Sequence, residues 1–261
     1  MKRYIFYFLI LFASCESGKK EDTAEALPSK ETELRASVNK YPDSSLSRET
    51  LIQYYRDNVN YSRALAETNA AIKRDSTNPR FYDIQAILHF ENGDTVKAIN
   101  SFEKAVTIYP APEYFISLGT LYAQTKNPKA LDVADILIQR NKGKAEKEGL
   151  FIKGLYYNYM LEKEKAISFF DKALSIDFTF MEAYREKAIA LSDLGKFKEA
   201  LAVLDKAVTL QNNFDEGYYY RGKILEKLGR QDEAIESYQR ALLYDPQYVE
   251  AKDALARLGV K

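Results

Sequence analysis

Three places in the sequence carry residue types suited to chemistry: the single cysteine, Cys15, the single histidine, His89, and the pair Gly195-Lys196. A thiol can act as a nucleophile, accept an acyl chain or bind metal, and imidazole is the side chain whose ordinary pKa suits proton transfer near pH 7. A Gly-Lys pair cradles phosphate when another glycine stands five residues upstream. Ala190 holds that upstream place, so the phosphate loop is incomplete and Gly195 is better explained as a turn. His89 falls in a column otherwise held by Tyr55, Tyr122, Tyr157, Leu191 and Leu225, the pattern of a packed residue rather than a base. The sequence offers no nucleophile with a base beside it, no cluster of metal ligands and no basic strip interleaved with aromatics. An enzyme, a metal protein and a nucleic-acid binder are therefore not expected, nor is a cofactor. Lys and Arg together number 38, as do Asp and Glu, so no net field draws the chain to a polyanion. Charged residues such as Glu162, Lys165 and Glu199 belong on solvated faces.

Cys15 is explained by what precedes it. Lys2 and Arg3 are followed by an apolar run from Tyr4 to Phe12. That run is far shorter than the ~20 residues a membrane-spanning helix needs, and it has the form of a secretory signal. The stretch Phe12-Ala13-Ser14-Cys15 resembles the bacterial lipobox, with Phe12 departing from the usual Leu. The resemblance implies a signal peptide over 1–14, an acylated Cys15 and a polar tether over 15–28 that ends near Pro28. Acyl chains contribute ~0.8 kcal/mol per buried CH₂, enough for several chains to anchor a protein without a spanning helix. The other reading is an ordinary secretory signal with an incidental cysteine. Glu16 follows Cys15 where Asp would be the family's inner-membrane retention signal, so the resemblance implies the outer membrane. Lys19-Lys20-Glu21-Asp22 is similar to a short signal for surface export and reads equally as solvated tether, which leaves the periplasmic and surface faces both open.

The rest of the chain is periodic. Ala64, Ala98, Ala130, Ala166, Ala200 and Ala234 recur at separations of 34, 32, 36, 34 and 34, and Ala71, Ala105, Leu137, Ala173, Ala207 and Ala241 repeat that register seven residues later. A mostly large column, Thr68, Phe102, Ala134, Phe170, Leu204 and Tyr238, follows the first by four residues. A small column, Ala86, Gly119, Gly154, Ala188 and Gly222, lies upstream, with Ile52 in its first place. Antiparallel helices approach closely only where one carries a small side chain, so each unit reads as a helical hairpin. Gly93, Gly195 and Gly229 fall between the two helices, and Pro110 and Pro246 after the second.

These columns resemble the tetratricopeptide repeat, most closely in the sixth unit, where Tyr218, Gly222, Leu225, Gly229, Ala234, Tyr238, Ala241 and Pro246 take the motif's places in order. The resemblance implies an all-α superhelix of six hairpins: 45–78, 79–111, 112–146, 147–180, 181–214 and 215–248. A capping helix is expected over 29–44 and another over 249–261, because such arrays must cover their apolar ends. The third unit departs from the pattern at Ala134 and Leu137, lacks a turn residue, and carries the added stretch Asn141-Lys142-Gly143-Lys144, where a kink or softer joint is expected.

The family's first helices line a concave groove that binds protein or peptide. The resemblance places Asp83, Ile87, Phe90, Glu91, Ile116, Thr120, Phe151, Leu155, Asn158 and Tyr159 there in units two to four, an apolar lining suited to a peptide or helix. The alternative is that Phe90, Phe151 and Tyr159 are covered by neighbouring units or by the tether. Units five and six contribute a polar lining that includes Arg185, Tyr219 and Lys223. The Lys and Asn arrangement by which some family members clamp a C-terminal carboxylate is missing. The expectation is a lipid-anchored interaction scaffold or adaptor of the bacterial envelope, held at the outer membrane. Its rival is a structural element that associates with itself. On this reading Gly154→Leu disrupts the array, whereas Leu155→Glu leaves it folded and weakens binding.

Overall fold

The computed structural model describes residues 29–140 and 145–260. The signal segment, Cys15, the tether and the stretch 141–144 lie outside them. The described residues form fourteen α-helices and no strand. Helix α1 (Lys30–Lys40) precedes six hairpins: α2 (Ser45–Asp57) with α3 (Tyr61–Arg74), α4 (Pro79–Glu91) with α5 (Thr95–Ile108), α6 (Pro112–Gln124) with α7 (Lys129–Arg140), α8 (Glu146–Tyr159) with α9 (Lys163–Ile176), α10 (Met181–Asp193) with α11 (Phe197–Leu210), and α12 (Asp215–Lys227) with α13 (Gln231–Tyr244). Helix α14 (Val249–Arg257) closes the array. Side-chain oxygens of Ser29, Ser44, Asn60, Asn78 and Asp94 cap the first five helices, satisfying amides that a helix start leaves orphaned. Helices α8 to α14 begin without such caps, so packing must hold them.

Every hairpin turn closes the same way. The carbonyls of Tyr55, His89, Tyr122, Tyr157, Leu191 and Leu225 accept the amides of Asn60, Asp94, Asn127, Glu162, Lys196 and Arg230 at 2.8–2.9 Å. This closure requires a left-handed residue just before the donor. Gly93, Gly195 and Gly229 supply it, with φ of 82°, 73° and 73°. In the other three hairpins Val59, Lys126 and Leu161 adopt it at φ 55°, 59° and 65°. A side chain with a Cβ costs roughly 1–2 kcal/mol there, and a β-branched one fits worst. Val59 is also 59% exposed, so it gains little by burial. Val59→Gly is expected to raise the thermal midpoint, followed by circular dichroism, by about 2–4 °C. A lowered midpoint would show that the valine side chain is held by contacts worth more than the strain.

Within the hairpins, small and large residues interlock. A Cβ on Gly154 would lie 2.4 Å from Phe170 Cε1, and one on Gly222 would lie 2.6 Å from Tyr238 Cε1. Ala86 with Phe102 and Ala188 with Leu204 hold the same register and are buried. In the first hairpin the sizes are reversed, Ile52 on α2 and Thr68 on α3, and both are buried. The third has two small residues, Gly119 and Ala134. There a Cβ on Gly119 would meet Val133 Cγ1 at 2.8 Å and Ile152 Cδ1 at 2.9 Å. One on Gly149 would meet the Ala134 carbonyl at 2.7 Å. The missing aromatic thus lets α8 close onto α6 and α7, and the irregular unit is packed tightly by its successor.

First helices of successive hairpins touch, α6 with α8, α8 with α10 and α10 with α12, whereas no successive second helices pack comparably. The first helices therefore lie on the inside of the curve, and the array is a superhelix with a concave face. Polar side chains tie hairpin to hairpin: Gln85 to Asn69 and Lys153 to Asp135, both at 2.7 Å, Lys187 to Asp171 at 2.5 Å, and Arg221 to Asp205 at 2.7 Å. The series skips the junction between the second and third hairpins, where Leu118 stands in the donor position and Glu103 instead accepts from Tyr122 Oη and Lys129 Nζ. At the ends, Val38 of α1 and Ala251, Ala254 and Leu255 of α14 face inward, while Lys252, Asp253 and Arg257 face solvent.

Candidate protein-binding groove

Helical spacing on the first helices does bring the expected residues to one side of the array, but it exposes few of them. Leu155 is 5% exposed and belongs to the central core, which corrects its assignment to the groove surface. That core also takes in buried residues of α6 and α7, the helices on which α8 closes. Asp83 and Asn158 are buried as well, and this too is a correction. Asp83 accepts from Arg80 Nη1 at 3.0 Å, and burial pushes its carboxyl up despite that partner. Asn158 accepts from Lys163 Nζ at 2.7 Å, and the same ammonium reaches Asp193 at 2.5 Å. Ile87, Ile116 and Phe151 are half-buried against the core, with the Phe151 ring 5.7 Å from Phe170 and 5.0 Å from Phe180. Thr120 is half-buried. The continuous apolar strip expected over units two to four is thus largely consumed by packing between units.

Two apolar places stay open. Phe90 is 45% exposed near the end of α4, beside Glu91, which Arg56 holds with both Nε and Nη2. Tyr159 is exposed at the end of α8 and continues into exposed Met160 and Leu161. The last hairpins are polar and self-paired. Arg185 donates to Glu186 at 3.1 and 3.2 Å and to Glu216, while burial pushes the Glu186 carboxyl up. Arg257 forks onto Glu226 with two bonds of 2.7 Å. Tyr219 packs 5.2 Å from Tyr220, 5.8 Å from Tyr238 and 4.9 Å from Tyr248. Lys223 is exposed, with its ammonium 5.5 Å and 5.3 Å from the Tyr219 and Tyr220 ring centres. Glu186, Tyr220 and Tyr248 escaped the sequence reading. Glu186 and Tyr220 each lie one place beyond the expected groove positions, and Tyr248 precedes what read only as a cap.

His89 is half-buried, and burial pulls its imidazole below the ordinary value, against the pull of Asp94. No group of three potential metal ligands occurs among the described residues, and no described helix is long and apolar enough to cross a membrane.

Models described as tetratricopeptide repeat match residues 49–111, 148–180 and 215–248, and one described as TPR repeat matches 190–229. The chain belongs to the tetratricopeptide-repeat family. Residues 112–147, where the irregular hairpin lies, fall in none of the matched ranges. Among solved structures, the chain is similar to a tetratricopeptide repeat protein from Parabacteroides merdae ATCC 43184, with 21% identity over 88% of this chain and 91% of that one and a TM-score of 0.70. It is also similar to TTC0263, a thermophilic tetratricopeptide protein of Thermus thermophilus, with 20% identity, 69% and 98% coverage and a TM-score of 0.59. PilW, a type IV pilus biogenesis factor, matches with 19% identity, 80% and 96% coverage and a TM-score of 0.61. No curated protein matches the sequence. At these identities the likenesses establish the tetratricopeptide fold alone.

Proposed function

We propose that this tetratricopeptide protein is a lipid-anchored adaptor of the bacterial cell envelope that holds a segment of a partner protein in its concave groove. The observation that carries the groove reading is Phe90, a large apolar side chain left exposed on a first helix whose neighbours Ile87 and Leu88 are packed away. The anchor rests on the sole cysteine, Cys15, at the end of a signal-like segment. Acylation there would fix the array beside an outer membrane, and the tether would set its reach.

Two measurements test the two halves. Cells fed a clickable palmitate analogue are expected to label the wild-type chain and not Cys15→Ser, and equal labelling of both would remove the anchor. Crosslinking in native membranes is expected to capture an envelope protein with the wild-type chain and to lose it with Phe90→Glu, whose side chain is exposed enough to leave the fold intact. Capture of the same protein by both, or of further copies of the chain alone, would favour a self-associating structural element instead.

A further inference from the structure

Lys223 differs from Arg185 and Arg257, the arginines near the same rings. Arg185 is held by Glu186 and Glu216, and Arg257 by Glu226, so neither can leave without stranding a carboxylate. Lys223 makes no ion pair among the described residues, and its ammonium lies over two tyrosine rings one helical turn back on α12. Those rings meet edge-on at 71° and present two faces to one cation, with Tyr248 tilted 40° against Tyr219 as a third wall. Burial is the first cause pushing both phenols up; Glu250, Glu226 and Asp253 add to it at Tyr219 and Glu186 and Glu216 at Tyr220, each set against one opposing arginine, Arg257 and Arg185 respectively. The rings are therefore neutral at physiological pH, and the field around them favours positive charge. A neutral ring face amid carboxylates attracts a cation, and a guanidinium suits it better than an ammonium because it is planar and more weakly hydrated.

We infer that the Tyr219–Tyr220 ring pair is a recognition site for an arginine side chain of a basic partner segment, and that Lys223 occupies it in the free chain. Binding exchanges one cation for another: the lysine swings into solvent and the partner's guanidinium takes its place over the rings. This deepens the groove reading and rests on it, assigning the C-terminal half a basic ligand where the N-terminal half offers Phe90.

The test is fluorescence anisotropy with the full chain. The probe is a labelled twelve-residue Gly-Ser peptide carrying two central arginines, compared with matched peptides carrying citrulline or glutamate. Lys223→Ala removes the internal occupant and is expected to tighten the arginine peptide by roughly two- to fivefold while leaving the citrulline peptide unchanged. Tyr220→Leu, checked for folding by circular dichroism, is expected to weaken the arginine peptide by a similar factor. Should Tyr220→Leu fail to fold, the Lys223 arm decides alone. Unchanged or weaker arginine binding by Lys223→Ala overturns the inference, as does preference of the wild-type chain for the glutamate peptide, which would make Lys223 an anion contact. If the arginine probe ignores Lys223 while Phe90→Glu still loses its crosslinked partner, the ring site fails and the adaptor reading stands.

Discussion

Gly154→Leu should unfold the fourth hairpin. Its Cβ alone would lie 2.4 and 2.6 Å from two carbons of the Phe170 ring, and the rest of a leucine would follow into the same space. Phe170 has no room to yield, because it is fully buried and Phe151 packs against it. Overpacking a dense core costs about 1–3 kcal/mol in ordinary cases, and displacement of a whole ring puts this one at the upper end or beyond. Gly154→Ala gives a sharper sign test. Gly→Ala inside an exposed helix stabilises by about 1 kcal/mol through propensity alone, so a destabilised Gly154→Ala variant assigns the effect to the ring contact. Urea denaturation followed by circular dichroism reads both, and unchanged stability in the leucine variant would overturn the interlock. The first hairpin suggests the rescue: Gly154→Ile with Phe170→Thr copies Ile52 and Thr68 and should recover part of the loss.

The second large effect is expected at Leu155. Leu155→Glu places a carboxylate in the central core cluster, losing the leucine's burial and adding the desolvation of a charge. Together these should cost about 3–5 kcal/mol. Phe90→Glu lies on the surface and should change stability by roughly 0.5 kcal/mol or less. Thermal melts of the two variants side by side separate a core residue from a groove residue. If Leu155→Glu melts like the wild-type chain, Leu155 belongs to the groove and not to the core. The expected loss reverses the reading drawn from repeat position alone.

That reversal shows how far the sequence could be read. The small and large columns, the turn glycines and the six-hairpin array follow from pair contacts inside one unit, and those recur every 34 residues or so where any eye can find them. Exposure along the groove depends instead on contacts between units, which the repeat does not encode. Leu155 is buried in a cluster to which α6 and α7 of the preceding hairpin contribute, and its own repeat position says nothing of them. Lys223 over its rings was equally out of reach, since Tyr220 lies one place beyond the groove positions and Tyr248 at the last place of its unit, just before the cap. The left-handed Val59, Lys126 and Leu161 were hidden for the opposite reason: the backbone closure is shared by all six hairpins, while the residue type that usually reveals it is absent from three.

The reversed pair Ile52 and Thr68 bears on folding fidelity. An array of near-identical helices invites mistaken partnerships in which a first helix docks on the second helix of another hairpin, the characteristic failure of repeat proteins. Were α2 to dock on α9, Ile52 would collide with Phe170, and were α8 to dock on α3, Gly154 would face Thr68 across a void. Both errors are penalised, while the native partners fit. A single exchange of sizes thus gives the first hairpin a shape that the fourth cannot counterfeit, and lets the growing chain begin its stack with a pair matched in size.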